Sequence, residues 1–343
     1  MKKAQLMNRV NREVLLRELR ATPQTRTTLS FYKYHRIDSP EMLRNELYVK
    51  LDALQTKGRI YIAHEGINAQ ISVPDNNFES LKETLYSYGY LNNVRLNIAV
   101  TDDGKSFFKL TIKVKDKIVA DGLNDASFDA ADTGTHLNAE AFNALTDDPN
   151  TILVDMRNHY ESEVGYFEGA IRPDAETFKE EVKLVEEIIR GQEEKNIVMY
   201  CTGGIRCEKA SAWFKHKGFK NMFQLNGGII NYAQQVRATN GRNKFKGVNF
   251  VFDERLGERI SDDVVAQCHQ CQKAADTHRN CANDACHLLL IQCDDCFKKT
   301  QGCCSQQCTD FIQLPKEEQK LLRKTTKFPG TKNKKGRVMR NEI

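Results

Sequence analysis

Apolar residues recur along the chain at two spacings, and the point where one gives way to the other divides it. Between residues 28 and 114, "TLSFYKYHRI" is rich in β-branched and aromatic residues, as a strand is, whereas "SPEMLRNELYVKLDALQ" opens on a capping Ser39 and Pro40 and then repeats apolar residues at helical intervals. "RIYIAHEGINAQISV" follows as two strand-like runs around a glycine, then a helical "NFESLKETLYSYG", then "VRLNIAVT" with "FFKLTIKVK". Strand, helix, two strands, helix and strand is the order of a ferredoxin-like α+β unit, a topology that hosts many functions and fixes none.

From Thr135 the rhythm becomes strict alternation. "LNAEAFNALTDD", "FKEEVKLVEEIIRG", "IRCEKASAWFKHKG" and "NGGIINYAQQV" are helical, and "TILVDMRN", "NIVMYC" and "NMFQL" between them are short apolar runs. Gly191 and Gly218 close two of the helices. Buried strands separated by helices predict a parallel sheet covered on both faces, with its reactive groups at the carboxyl ends of the strands. Cys201 falls at such an end. An extended "VNFVFDERLGERI" then leads to a cysteine-rich segment, Cys268 to Cys308, and a basic tail.

Composition narrows the picture. With 343 residues, 40% hydrophobic and 28% charged, the chain suits a globular protein of two or three domains. The basic N-terminus "MKKAQLMNRVNREVLLRELR" has no continuous apolar core, and no stretch approaches the roughly 18 apolar residues of a membrane span, so a cytoplasmic protein without a membrane partner is expected. In that reducing compartment eleven cysteines point to metal ligation, a reactive thiol or burial rather than to disulfides. The net charge of +5 is uneven: residues 314–343 hold ten Lys or Arg against three Asp or Glu, which reads as a flexible arm for phosphates or as a solvated tail.

A thiol attacks through its charged form, and the unpaired N–H groups at a helix N-terminus stabilise that form. In "CTGGIRC", Thr202, Gly203, Gly204 and Ile205 let the chain curl into a helix with N–H groups pointing inward, and Arg206 adds a positive charge. Tyrosine-phosphatase-like loops put five residues between Cys and Arg and usually a His before the Cys; here four intervene and Tyr200 precedes. The shorter ring is tight for phosphate and suits one extra sulfur atom. It resembles the active-site loop of rhodanese domains, as do "DMRN" at 155–158 and "GYFEGAI" at 165–171. Asp155 and Arg157 are candidate supporting residues, and Arg157 with Glu161 either orients the loop or is simply a satisfied polar pair. Cys207, on the following helix, reads first as a core filler.

Within "CHQCQKAADTHRNCANDACHLLLIQCDDCFKKTQGCCSQQC", the pairs Cys268/Cys271 and Cys293/Cys296 have the spacing that grips one tetrahedral ion. Cys281 with Cys286, and Cys303 with Cys308, offer two more pairs, with Cys304 as the alternative to Cys303. One or two structural zinc ions are expected, with alternate pairs sharing an ion, and they would supply the folding energy that so small an apolar content cannot. His269, His278 and His287 are read as surface residues or hydrogen-bond partners of ligands.

Taken in order, "RTTLSFYKYHRI", "RIYIAHEGINAQISVP", "RLNIAVTDDGKSFFKL", "VDMRNHYESEVGYFEGA", "IVMYCTGGIRCEKASA", "NFVFDERLGERIS" and "CHQC" with "NCANDACHLLLIQC" closely resemble the bacterial tRNA uridine hydroxylase (TrhO) family from about residue 26 to about residue 310. The resemblance implies an oxidoreductase that uses molecular oxygen to form 5-hydroxyuridine at the wobble position of tRNA anticodons, with the family's rhodanese-type cysteine at Cys201. It assigns tRNA as partner. No flavin or NAD fingerprint and no two-His, one-carboxylate iron set is present to activate oxygen. Arg59, His64, Glu65 and Asn68 read mainly as a polar hairpin and secondarily as RNA contacts. Two other functions stay open: a sulfurtransferase passing persulfide sulfur between donor and acceptor proteins, and a non-catalytic RNA-binding scaffold. The expected division is a helical leader at 1–27, a ferredoxin-like domain at 28–118, a rhodanese domain at 136–241, a zinc-binding module at 242–312 and a flexible basic tail at 313–343.

Overall fold

The computed structural model describes residues 6, 10–21, 25–123 and 128–330. After helix α1 (Arg12–Ala21), the strands β1 (Arg26–Tyr34), β2 (Lys57–Ala63), β3 (Gly66–Pro74), β4 (Asn97–Ile98) and β5 (Leu110–Val114) form one sheet in the order β4-β1-β3-β2-β5. Helices α2 (Pro40–Ala53) and α3 (Phe78–Tyr86) follow β1 and β3, as the alternation predicts. Ser39 stands at the α2 cap without a side-chain cap bond, so Pro40 at the first turn, with its preset backbone, is the effective start signal. Because strand side chains alternate, the sheet has two distinct faces. Leu29, Phe31, Ile60, Ile62, Ile67 and Ile71 pack with Leu47, Leu51, Leu81 and Leu85 into one core. The intervening Ser30, Tyr32, Arg59, Tyr61, Asn68 and Gln70 line a cavity on the other face.

The second unit alternates strand and helix: β6 (Thr135–Leu137), α4 (Ala139–Leu145), β7 (Thr151–Asp155), the short α5 (His159–Ser162), β8 (Gly165–Phe167), α6 (Phe178–Ile189), β9 (Asn196–Tyr200), α7 (Ile205–His216), β10 (Met222–Leu225) and α8 (Gly228–Thr239). Strands β6-β10-β9-β7 make the expected parallel sheet. On central β9, Ile197 and Met199 face a core with Val182, Val185 and Phe214, while Val198 and Tyr200 face Phe142, Phe167 and Tyr232. This two-sided burial is why β9 reads as an unbroken apolar run. Strand β6 escapes sequence reading because only Leu137 of its three residues is buried.

Beyond α8, β11 (Phe245–Asn249) pairs antiparallel with β8 and with β12 (Glu258–Arg259), tying the last part of the chain to the parallel-sheet unit. The cysteine-rich part holds the hairpin β13 (His278–Asn280) and β14 (Leu289–Ile291), then α9 (Asp294–Lys299) and α10 (Gln306–Gln313). The expected flexible tail differs over its first half. Residues 316–322 form α11 (Lys316–Leu322), the Phe328 ring meets Phe311 at 4.8 Å, and the Gly330 N–H reaches Cys286 Sγ at 3.3 Å. Aromatic burial overrides the charge pattern there; the basic residues after 330 lie outside the described residues.

The hairpin joining β2 and β3 depends on Gly66, whose φ of +148° is adopted freely only by glycine, and an added Cβ would lie 2.1 Å from the Lys33 carbonyl oxygen. Gly66→Ala is therefore expected to lower the stability of the first unit by at least about 1–3 kcal/mol in urea unfolding. An unchanged midpoint would contradict this packing.

Candidate active site

Cys201 leaves the carboxyl end of β9 and the chain turns at once into α7, so its sulfur sits under the first turn of that helix. Gly204, at φ +102°, makes the turn, and its N–H donates to Cys201 Sγ at 3.1 Å. The N–H groups of Arg206 and Cys207 and the Cys207 thiol, at the same helix start, also favour the sulfur anion. Complete burial works against a thiolate, but these donors and the Arg206 charge outweigh it and bring the Cys201 pKa down to about 6. The Cys207 thiol moves the opposite way, held protonated by burial and by its bond to Cys201. Cys207 is therefore a core residue, as its position predicts, and also a donor to the reactive sulfur.

Arg206 does not stand free. Its Nη1 and Nη2 grip Glu161 Oε1 and Oε2 at 2.7 and 2.9 Å, and Thr202 Oγ1 donates to Glu161 Oε2 at 3.4 Å. Glu161, on α5, is fully buried and fixes the guanidinium beside the loop. Asp155 and Arg157 form a second buried pair: Arg157 Nε and Nη2 meet Asp155 Oδ1 and Oδ2 at 2.8 and 2.7 Å, the Tyr200 hydroxyl donates to Asp155 at 2.7 Å, and Arg157 Nη1 donates to the Glu161 carbonyl at 3.5 Å, next to the residue that holds Arg206. Neither lines the cavity at Cys201; they brace β7 against β9. Glu181 on α6 is buried with both carboxyl oxygens lacking hydrogen-bond partners, and burial keeps it neutral. It thus withholds a negative charge from the thiolate's surroundings.

The loop is finished by distant segments. Asn97 Nδ2 donates to the Gly203 carbonyl at 3.2 Å, Tyr32 OH to Glu208 Oε1 at 2.8 Å, and Lys209 pairs with both Glu65 and Asp121. A Cβ on Gly204 would come within 2.8 Å of Tyr32 OH, and one on Gly228 within 2.5 Å of the Cys201 carbonyl oxygen. Between the first sheet and the loop lies a cavity of about 420 Å³, walled by Cys201, Thr202, Gly203, Ile205 and Arg206 on one side and Arg59, Tyr61 and Asn68 on the other. That volume is in the range of small-ligand sites, roughly 300–1,000 Å³. Of the polar hairpin, Arg59 and Asn68 line the cavity, whereas the His64 ring bonds the Ile37 carbonyl at 2.9 Å and Glu65 pairs with Lys209 across the two units. The long-range partners Tyr32, Asn97 and Gly228 carry no local sequence signal.

All eleven cysteines are free thiols. Cys268, Cys271, Cys293 and Cys296 form one group and Cys281, Cys286, Cys304 and Cys308 another, with sulfurs within 4.8 Å of one another in each, and each group could hold a metal ion. Sulfurs bound at about 2.3 Å around a tetrahedral ion stand about 3.8 Å apart. Observed separations are 3.6 Å for Cys271–Cys293, 3.6 Å for Cys286–Cys304 and 3.8 Å for Cys304–Cys308. Cys304 rather than the expected Cys303 joins the second group. Cys303 is as buried as Cys304, but its carbonyl accepts bonds from Gln270, Gln292 and Thr300, and it is the Cys304 sulfur that meets Cys286 and Cys308. None of His269, His278 and His287 belongs to either group; the His269 ring bonds Glu163 at 2.8 Å.

Comparison with known proteins bears on the same regions. The UPF0176 acylphosphatase like domain matches residues 26–118, the rhodanese-like domain residues 138–235, and the rhodanase C-terminal family residues 246–309. A protein of Pectobacterium carotovorum named tRNA uridine(34) hydroxylase is 54% identical over 319 residues, 93% of this chain and 90% of that relative. Relatives of the same name from Photorhabdus laumondii and Salmonella typhimurium are each 53% identical, over 93% and 90% of this chain and 91% and 89% of their own lengths. Among solved structures, a thiosulfate sulfurtransferase from Pseudomonas aeruginosa matches 32% of this chain and 20% of its own at 19% identity and a TM-score of 0.26.

The donors around Cys201 make its titration measurable. Alkylation by iodoacetamide is expected to follow an apparent pKa of about 6, leaving roughly nine-tenths of the thiol ionised at pH 7. Cys207→Ala removes one donor and shifts that midpoint upward. A wild-type midpoint near the free-cysteine value of about 8.5 would contradict the geometry.

Proposed function

The chain belongs to the tRNA uridine(34) hydroxylase family, and on that footing we propose that it hydroxylates carbon 5 of the wobble uridine of tRNA, with molecular oxygen as co-substrate and Cys201 as the reactive group. The observation that carries this reading is the sulfur of Cys201, bonded by the Gly204 N–H at the head of α7, on the wall of a cavity of about 420 Å³. The cavity admits a base only after it leaves its stack, as nucleotide-modifying enzymes require. An unstacked anticodon nucleotide presents its ring to such a pocket at lower energetic cost than a paired one.

The proposed chemistry begins with the Cys201 thiolate forming a bond to carbon 6 of uracil. The electron pair of the 5,6 double bond moves toward the carbonyl at carbon 4, which makes carbon 5 electron-rich enough to react with oxygen. Loss of the carbon 5 proton and expulsion of the thiolate then restore the ring. One oxygen atom stays on carbon 5 and the other leaves as water, a balance that takes two electrons from an external reductant. Amide donors that hold the sulfur anion before attack hold it again as the leaving group, so one loop serves both steps.

A second reading follows from the same loop and from the rhodanese-like match: Cys201 carries sulfane sulfur between a donor and an acceptor protein. For the two cysteine groups we propose two zinc ions with structural roles, since four thiolates leave no open coordination position. A cytoplasmic location follows from a tRNA substrate, and no helix among the described residues is long and apolar enough to cross a membrane.

Nucleoside mass spectrometry of tRNA from a strain lacking the protein separates the readings. Loss of 5-hydroxyuridine and its derivatives, restored by the wild type and not by Cys201→Ala, is the expected result. Loss of thiolated bases instead would favour sulfur transfer, and full rescue by Cys201→Ala would leave only a scaffold. Elemental analysis should find two zinc ions per chain, and Cys271→Ser should lower that to about one; metal-free, folded protein would remove the assignment.

A further inference from the structure

A second cavity, of about 790 Å³, adjoins the first and shares Arg59, Phe107, Phe252 and Asp253 with it. Its walls come from three parts of the chain: Lys109 and Phe108 beside β5, Phe250 and Leu256 after β11, and Asn280, His287 and Arg323 from the cysteine-rich part and its following helix. Its charges are unequal in their commitments. Asp253 is held by Arg255, whose Nε and Nη2 reach Oδ1 and Oδ2 at 2.9 and 2.5 Å, while Glu254 and Asp284 are exposed to solvent. By contrast, Arg59, Lys109 and Arg323 have no side-chain hydrogen bond or ion pair among the described residues. Arg59 rests over Phe107 at 5.9 Å and Lys109 over Phe108 at 5.8 Å. Three uncommitted cations among aromatic rings, opening directly into a cavity with a reactive thiol, form a surface suited to a chain of phosphates and unstacked bases.

We propose that this groove holds the single-stranded RNA next to the reactive nucleotide, with Arg59, at the junction of the two cavities, contacting the phosphate that adjoins the base delivered to Cys201. The inference rests on tRNA being the substrate. Arg59 acts as a positioning residue: it keeps the chain bent so that one base enters the smaller cavity while its neighbours run along the larger one. Lys109 and Arg323 neutralise phosphates further on. The loop carrying Cys281 and Cys286 supplies one wall, so the metal-binding part becomes a structural half of the RNA surface rather than an appendage.

The test is tRNA binding by the full-length protein at several salt concentrations, with Cys201 alkylation as the folding control. Arg59→Ala is expected to raise Kd about 5- to 10-fold and to reduce the slope of log K against log salt by about 1; Lys109→Ala with Arg323→Ala should reduce it by about 2. Arg59→Lys should keep the slope, since it keeps the charge. Alkylation rates should not change in any of them. Unaltered Kd and slope in variants of a protein that still hydroxylates tRNA would overturn the groove while leaving the enzymatic reading intact. Wild-type protein that fails to bind tRNA at all would overturn both. Binding of poly-glutamate lost in these variants while tRNA binding persists would give the groove to an acidic protein partner and likewise overturn the proposal.

Discussion

An anion with no solvent contact is stable only if the protein replaces the water it has lost, and the structure depends on that replacement at Cys201. Burial alone would push the thiol toward neutrality. Here the Gly204 N–H bonds the sulfur, the amides of Arg206 and Cys207 and the Cys207 thiol favour its anion, and Arg206 supplies charge while fixed by Glu161. Each donor exists because of a backbone decision: a left-handed Gly204 turns the chain, and helix α7 begins immediately after with its N–H groups unspent. Neighbouring acids do not cancel the effect. Glu161 is spent on Arg206, Asp155 on Arg157, and Glu181 is neutral.

That loop becomes a binding site only because a second unit covers it. The alternation of β1, β2 and β3 sends their apolar residues into their own core and leaves Tyr32, Arg59, Tyr61 and Asn68 facing the sulfur. Contacts at Asn97, Tyr32 and Lys209 lock the two units at a fixed distance. A methyl group on Gly204 would meet Tyr32 OH across the two units, and one on Gly228 would meet the Cys201 loop itself, so the first glycine limits how closely the walls approach and the second how tightly the loop packs on α8. The architecture therefore puts the Cys201 loop on one unit and the facing wall of its cavity on the other.

Much of this was legible in the chain. The two spacings of apolar residues separate an α+β unit from a parallel-sheet unit, and a cysteine followed by two glycines and an arginine identifies the loop, because those residues have no packing reason to occur together. What escaped has physical causes. Strand β6 is three residues with one buried side chain, too little for a period to register. The choice between Cys303 and Cys304, both buried, turns on which adjacent sulfur meets Cys281, Cys286 and Cys308, and that depends on the local backbone, held by Gln270 and Gln292, which no spacing encodes. Asp155 and Arg157, expected as supporting residues, line no part of the cavity; they brace the sheet with Tyr200, and Arg157 reaches the Glu161 carbonyl, a connection that no spacing encodes. Phe328 anchors a segment whose lysines suggested a flexible arm, for phosphates or merely solvated.

The proposed mechanism requires the Cys201 sulfur to bond to the uracil ring during turnover. A tRNA carrying 5-fluorouridine at position 34 tests it directly, since the mechanism must remove the substituent at carbon 5 as a cation and fluorine cannot leave that way. Intact mass spectrometry should find a protein–RNA adduct, with digestion placing it on Cys201 and bonding it to carbon 6. Full turnover of normal tRNA with no adduct on the fluorinated one, or an adduct on another residue, would contradict the account.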